Sequence, residues 1–288
     1  MPELPEVETV RLTLAPQLLG RRIRDLAVLH PDVVAGTGVA TDDFRARLVG
    51  AEFSALRRRG KYLIIGLRAP EGPLRLVLHL RMTGRLVVVP AAEEVPKHTH
   101  LRFVLDDGRE LRFTDPRRFG RACLLPGAGG RDGPRGLREL GPEPLAAGFS
   151  AAELGRRMAG RKVRLKALLL DQRFVAGVGN IYADETLFRA GLHPAQRACD
   201  LDETDVRRLH RQLRRVLRQA IGQGGTTIRD YVDGRGRRGE FALALQVYGR
   251  EGEACGGCGT MIERAVIAGR STRFCPRCQA LKAPNGAP

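Results

Sequence analysis

Val7, Val10, Leu14 and Leu18 recur at intervals of three and four, the period of one helical face, so an amphipathic helix is predicted over residues 2–20, ending near Gly20. From about residue 21 to 125 the period shortens. Tyr62–Leu67, Leu74–Leu80 and Arg85–Val89 read as strands. Leu101, Phe103 and Leu105 alternate with other residues on one side of Asp107-Gly108, and Leu111 and Phe113 on the other. Asp-Gly between two alternating runs is a strong hairpin signal, because such turns need φ above zero. The pattern predicts an antiparallel β domain, a sandwich or barrel, with the opening helix packed on it.

Residues 126–148 are dense in Gly and Pro, which blocks regular structure and marks a linker. Beyond it, 150–158, 163–171, 181–190 and 202–221 have helical composition. In the last of these Leu209, Leu213, Val216, Leu217 and Ala220 form one stripe. Residues 222–240 are glycine-rich without an apolar period, and a mobile loop is expected there. The fold class is therefore α+β with several domains: residues 1–125, a linker at 126–148, a helical domain over 149–240 that carries the loop, and a cysteine-rich end over 241–288.

Charge narrows the function. Lys and Arg number 49 against 32 Asp and Glu, a formal net charge of +17. A field this positive attracts polyanions, nucleic acid first among them. Lys occurs only at 61, 97, 162, 166 and 282, which leaves 49 − 5 = 44 Arg, whose planar fork suits phosphate oxygens. No stretch approaches the ~20 apolar residues of a membrane span, and the acidic Met-Pro-Glu start lacks the regions of a signal peptide, so a soluble cytoplasmic protein is expected.

Two features carry chemistry. Cys255, Cys258, Cys275 and Cys278 form C-x2-C-x16-C-x2-C, the spacing of a four-thiolate zinc ribbon. Four protein ligands leave no open position, so a structural Zn2+ is expected; two disulfides are the lesser alternative in a cytosolic protein. Cys123 and Cys199 lack such partners and are taken as buried thiols. Between the knuckles, Met261–Phe274 reads as a hairpin with Gly269-Arg270 at the turn, where Arg270 could reach a phosphate. At the other end of the chain, removal of Met1 would leave Pro2 as a secondary amine. With a reference pKa near 8, roughly a tenth of a terminal amine is neutral at pH 7, far more than of a Lys near 10.4. Such an amine can attack a sugar C1′ and form an iminium, with Glu3 beside it to move protons.

The opening MPELPEVETV, HLRMTG (79–84), TDPRRFG (114–120), VAGVGNIYADE (175–185) and the ribbon ending at Cys278 together resemble formamidopyrimidine-DNA glycosylase, nearly end to end. The resemblance implies an N-terminal β-sandwich, a helix-two-turn-helix domain and a zinc finger. It also implies a base-excision repair enzyme, a monomer acting on double-stranded DNA, that removes 8-oxoguanine and ring-opened purines and cuts the abasic strand by β,δ-elimination. Residue by residue it makes Pro2 the Schiff-base nucleophile and Glu3 its acid/base partner. Lys61 becomes a phosphate contact and proton donor in β-elimination, and Arg270 grips the phosphates flanking the lesion and assists δ-elimination. Asn180 would offer a helix N-terminus to a phosphate.

The damaged nucleotide must leave the stack for its C1′ to be reached. The hole would be filled by Met82, Arg118 and Phe119, two apolar wedges and an arginine addressing the estranged base. His98, Arg118, Arg161 and Lys166 are expected at DNA. The 222–240 loop matches the segment that folds over the flipped purine, with Glu6, Thr226, Thr227 and Tyr231 as pocket candidates. One departure stands out: the family usually has Gly where this chain has Arg81, beside Met82. Endonuclease VIII, with the same amine and oxidised pyrimidines as substrates, is the nearest alternative, and a non-catalytic nucleic-acid-binding module is the alternative from another class.

Overall fold

The computed structural model describes residues 2–34, 41–127 and 133–282. The chain divides into two compact units, Met1–Glu139 with Gln223–Ala242, and Leu140–Gly222 with Leu243–Pro288.

The first unit opens with α1 (Leu4–Leu18), followed by β1 (Ile23–Val28), α2 (Thr41–Leu48), β2 (Glu52–Arg59), β3 (Tyr62–Ala69), β4 (Gly72–His79), β5 (Arg85–Pro90), β6 (Thr99–Leu105), β7 (Arg109–Thr114) and β8 (Arg121–Pro126). The strands form two four-stranded antiparallel sheets, ordered β1-β6-β7-β5 and β2-β3-β4-β8. Period-2 alternation turns Leu63, Ile65, Leu76 and Leu78 of one sheet and Leu101, Phe103, Leu111 and Phe113 of the other into one core, which Val7, Val10, Leu14 and Leu18 of α1 join. The hairpin expected at Asp107-Gly108 is present, with Phe103 opposite Leu111 and Gly108 at φ 81°.

Two short helices escaped the periodic reading. In α2 only Phe44 and Leu48 are buried, one turn apart, too little for a recognisable stripe. Inside the expected linker, α3 (Arg135–Arg138) is a single turn that buries none of its residues.

The second unit contains α4 (Ala151–Met158), α5 (Leu165–Leu170), α6 (Asn180–Ala190), α7 (Glu203–Gly222) and the hairpin of β9 (Glu263–Ile267) and β10 (Arg270–Phe274). Ser150 caps α4 by accepting from the Glu153 N–H at 3.1 Å, and α6 ends at Gly191 in the left-handed conformation. The apolar stripe anticipated on α7 is buried from Leu209 to Ala220.

These units do not follow the expected boundaries. Residues 223–240, expected in the helical domain, and 241–242, expected in the cysteine-rich end, belong to the first unit, and the segment's bonds go to α1 and β5. The Gly234 N–H donates to Thr13 Oγ1 at 2.9 Å, Gln17 Nε2 to the Gly234 carbonyl at 3.2 Å, and the Val88 N–H to the same carbonyl at 3.2 Å. The segment is irregular, as its composition implies, but it is pinned at several points. The rest of the cysteine-rich end falls in the same unit as the helices.

Candidate active site and nucleic-acid interface

The start of α1 is held by its own side chains. Glu3 is the N-cap, and a capping box joins it to Glu6: the Glu6 N–H donates to the Glu3 carboxylate and the Glu3 N–H to Glu6 Oε2 at 2.8 Å. Pro2, Glu3 and Glu6 are all buried. The second Glu6 oxygen, Oε1, accepts from the Thr226 N–H at 2.7 Å, so one carboxylate clamps both the first turn of α1 and the returning segment. Met1 lies outside the described residues.

Lys61 sits in the tight turn between β2 and β3, after Gly60 at φ 55°. Arg58 ties that turn to α1, because its Nε donates to Glu8 Oε2 at 3.0 Å while Nη1 donates to the Gly60 carbonyl at 3.0 Å. Glu8 also takes both ends of Arg11, and these guanidiniums hold its carboxyl below the usual range although burial opposes them. Neither Glu8 nor Arg58 was singled out from the sequence. The only signal available was that Glu8 and Arg11 share a helix face.

The loops carrying the expected wedge lie next to each other. Met82 and Phe119 are 41% and 53% exposed, so both large apolar side chains are presented to solvent from these loops. Each follows an arginine in the left-handed region, Arg81 at φ 55° and Arg118 at φ 57°. A Cβ is strained at such a φ, which Gly adopts freely, so the arginine at position 81 is held there at a conformational cost. Arg117 Nη1 reaches Met82 Sδ at 3.5 Å, and Thr83 Oγ1 donates to Asp115 Oδ1. His98 supplies its carbonyl to the Asp115 N–H at 2.9 Å, at the head of β6. His79, two residues before Arg81, accepts the Arg81 N–H on Nδ1 at 3.0 Å. Burial, then the Arg81 and Lys61 charges, push its pKa down to about 3, so it stays a neutral acceptor.

In the second unit, Asn180 is the first residue of α6 and Gly179 its N-cap, so Asn180 does not cap the helix. Its Nδ2 donates to the Ser271 carbonyl at 3.0 Å, and one turn on Asp184 accepts the Arg273 N–H at 3.2 Å. These two bonds fix β10, and with it the exposed Arg270, against the start of α6. The hairpin turn itself is Ala268-Gly269, at φ 50° and 69°, and Arg270 opens the following strand opposite Ile267, one position later than expected.

Lys166 departs further from expectation. It is fully buried, with Nζ on Asp184 Oδ1 at 2.5 Å and on the Asn180 carbonyl at 3.0 Å, so its charge is spent inside the unit and not at a phosphate. Arg161 is exposed, its guanidinium 5.7 Å from the centre of the Phe174 ring.

The Sγ atoms of Cys255, Cys258, Cys275 and Cys278 all lie within 4.8 Å of one another, with 3.9 Å between Cys255 and Cys278 and 3.5 Å between Cys258 and Cys275. A tetrahedral Zn–S bond of about 2.3 Å implies sulfurs about 3.8 Å apart, so the cluster fits one structural Zn2+. The Gly257 N–H donates to Cys255 Sγ and the Cys278 N–H to Cys275 Sγ, each at 3.4 Å, orienting the thiolates. Val247 and Ile262 pack beneath. Cys123 is buried, which raises its pKa, whereas Cys199 is half-buried.

Three of the pocket candidates have their hydrogen bonds in the frame of the segment. The Thr227 hydroxyl donates to the Tyr231 carbonyl at 3.0 Å and accepts the Gly239 N–H at 2.8 Å, while the Tyr231 hydroxyl donates to the carbonyls of Gly224 and Glu6 at 3.1 and 3.3 Å. Thr226 contributes its N–H to Glu6. Among the residues the segment exposes is one large apolar side chain that the sequence did not mark, Ile228, 49% exposed.

Comparison with known proteins agrees with this arrangement. The formamidopyrimidine-DNA glycosylase N-terminal domain matches residues 1–122, the formamidopyrimidine-DNA glycosylase H2TH domain matches 140–232, and a zinc finger found in FPG and IleRS matches 252–281. The formamidopyrimidine-DNA glycosylase of Symbiobacterium thermophilum is 51% identical over 286 residues, covering 99% of this chain and 91% of that one, and that of Desulfitobacterium hafniense is 48% identical over 97% and 100%. Among solved structures, a mutant Lactococcus lactis FPG in complex with Fapy-dG-containing DNA superposes with a TM-score of 0.88 at 35% identity, covering 97% of this chain and 100% of that one. The Lactococcus lactis Fpg complex with abasic-site DNA gives 0.87 at 35%, over 96% and 99%. The chain belongs to the formamidopyrimidine-DNA glycosylase family.

Proposed function

We propose that this protein removes oxidised purines, 8-oxoguanine and formamidopyrimidines, from double-stranded DNA and then cuts the abasic strand. The Pro2 nitrogen attacks C1′ and gives up its proton; the glycosidic electron pair leaves with the base, which takes up a proton, and the C1′–O4′ bond then opens, O4′ taking a proton, so that an iminium joins protein and sugar. Loss of a C2′ proton expels the 3′ phosphate, a second elimination expels the 5′ phosphate, and water releases Pro2. Glu3 moves protons at the sugar, Lys61 donates one in the first elimination, and Arg270 grips the phosphates and assists the second. Met82, Arg118 and Phe119 fill the vacated stack, while His98, Arg161 and Asn180 hold the backbone.

The observation that carries this reading is the clamp at the start of α1. A capping box buries Pro2 and Glu3 in a defined geometry, and the same Glu6 carboxylate binds the segment that matches the family's purine-covering loop. Pre-positioned groups remove part of the entropic barrier to attack. Mixing the protein with a duplex carrying 8-oxoguanine opposite cytosine and adding borohydride is expected to give a covalent adduct on Pro2. A duplex that is bound yet never captured would sink the amine mechanism, and preferential capture on oxidised pyrimidines would move the chain to the endonuclease VIII branch.

A further inference from the structure

Met82 and Phe119 stand on different loops, 80–84 and 115–120, and a single buried side chain holds both. Asp115 is fully buried. Its Oδ1 accepts the Thr83 hydroxyl from the first loop and the Arg117 N–H at 3.2 Å from the second. Its Oδ2 accepts the Gly120 N–H at 2.7 Å. Its main chain completes the hub: the carbonyl accepts the Arg118 N–H at 3.1 Å and His100 Nε2 at 2.7 Å, and the N–H donates to His98. Each loop is closed by a glycine that admits no side chain. A Cβ on Gly84 would lie 2.4 Å from the Leu80 carbonyl oxygen, and one on Gly120 would lie 2.4 Å from Phe113 Cζ.

We propose that Asp115 is a positioning residue that couples the two loops, so that Met82 and Phe119 enter the base stack as one preorganised unit. The inference rests on the wedge reading above. Opening a base pair costs free energy, and side chains on loops that still had to be ordered would add a loss of conformational entropy to it. A buried carboxylate with three donors, one from the far loop, removes the ordering step. The Thr83 hydroxyl is the one side-chain donor in that set, and it is the bond that crosses between the loops.

The test uses single-turnover excision rates on two duplexes, one with the lesion paired and one with the lesion opposite an abasic gap, where no pair has to be opened. Thr83→Val keeps the shape and removes the donor; it is expected to lower the paired rate about tenfold and leave the gap rate unchanged, whereas Thr83→Ser retains both. Asp115→Asn turns an amide donor toward either the Gly120 N–H or the Thr83 hydroxyl and is expected to act in the same direction. Fluorescence of 2-aminopurine placed beside the lesion, which reports unstacking, should fall with the paired rate. If Thr83→Val lowers both rates equally, or lowers neither while Met82→Ala slows paired excision, the coupling is overturned and the wedge stands. If Met82→Ala also leaves the paired rate intact, the wedge reading itself fails and the coupling falls with it.

Discussion

Glu6 and Thr226, 220 positions apart, meet in a single hydrogen bond of 2.7 Å from the threonine N–H to the carboxylate, and the other oxygen of that carboxylate holds the N–H of Glu3. The first turn of α1 and the returning segment therefore share one anchor. In Glu6→Gln an amide N–H must face one of the two backbone donors. A hydrogen bond to a charged group is worth about 1.5–3 kcal/mol, so a melting point several degrees lower is expected, together with slower borohydride capture on Pro2. Unchanged capture in a destabilised variant would show that the clamp serves the fold alone.

Arg81 holds a left-handed conformation that Gly adopts without strain. Arg81→Gly is expected to raise stability by up to about 1 kcal/mol, less the chain entropy that Gly adds to the unfolded state, and to weaken duplex binding. Salt titration separates the two effects, because loss of one phosphate contact reduces the slope of log K against log salt by about 1. Binding equal to the parent protein at every salt concentration would remove Arg81 from the interface.

His79 is kept neutral with a pKa near 3, below its ordinary 6.5, by burial and by the Arg81 and Lys61 charges. Below pH 6.5 the unfolded chain binds a proton at this histidine that the folded chain refuses, so its effect is to destabilise the fold as the pH drops from about 6.5 toward 3. Denaturation curves at pH 7 and pH 5 should show a smaller loss for His79→Asn, which keeps an acceptor for the Arg81 N–H, than for the parent protein. Equal losses would mean that the imidazole titrates normally.

Lys166 and Asp184 form a buried ion pair between α5 and α6. Asp184→Asn would strand the ammonium, and breaking one side of a buried pair typically costs about 3–5 kcal/mol. The unit carrying Asn180 and Arg270 is expected to melt earlier, whereas the double variant Lys166→Met with Asp184→Leu should recover much of the loss. A single variant as stable as the parent would contradict the burial seen here.

Chelation of the zinc should unfold the β9–β10 hairpin, whose small core is built on the cysteines themselves. Duplex affinity is expected to collapse along with Arg270 placement, and circular dichroism of the sheets should persist. DNA binding undiminished in verified metal-free protein would place the interface elsewhere.

Periodicity and spacing were sufficient for the parts whose physics is local. The α1 stripe, the alternation through β3 to β7, the Asp107-Gly108 hairpin and the paired CxxC knuckles each depend on residues within a turn or two of each other, so side-chain order alone determined them. The tertiary structure decided where charge is used. Lys166 and Arg161 look alike as basic residues of one segment, yet a carboxylate 18 positions downstream of Lys166 draws it into the interior while Arg161 stays at the surface. Distance along the chain also concealed the Glu6–Thr226 clamp, the Arg58 tie to α1 and the Asp115 hub. A buried carboxylate needs donors from any direction in space, and nothing in the order of residues says which distant backbone N–H will arrive.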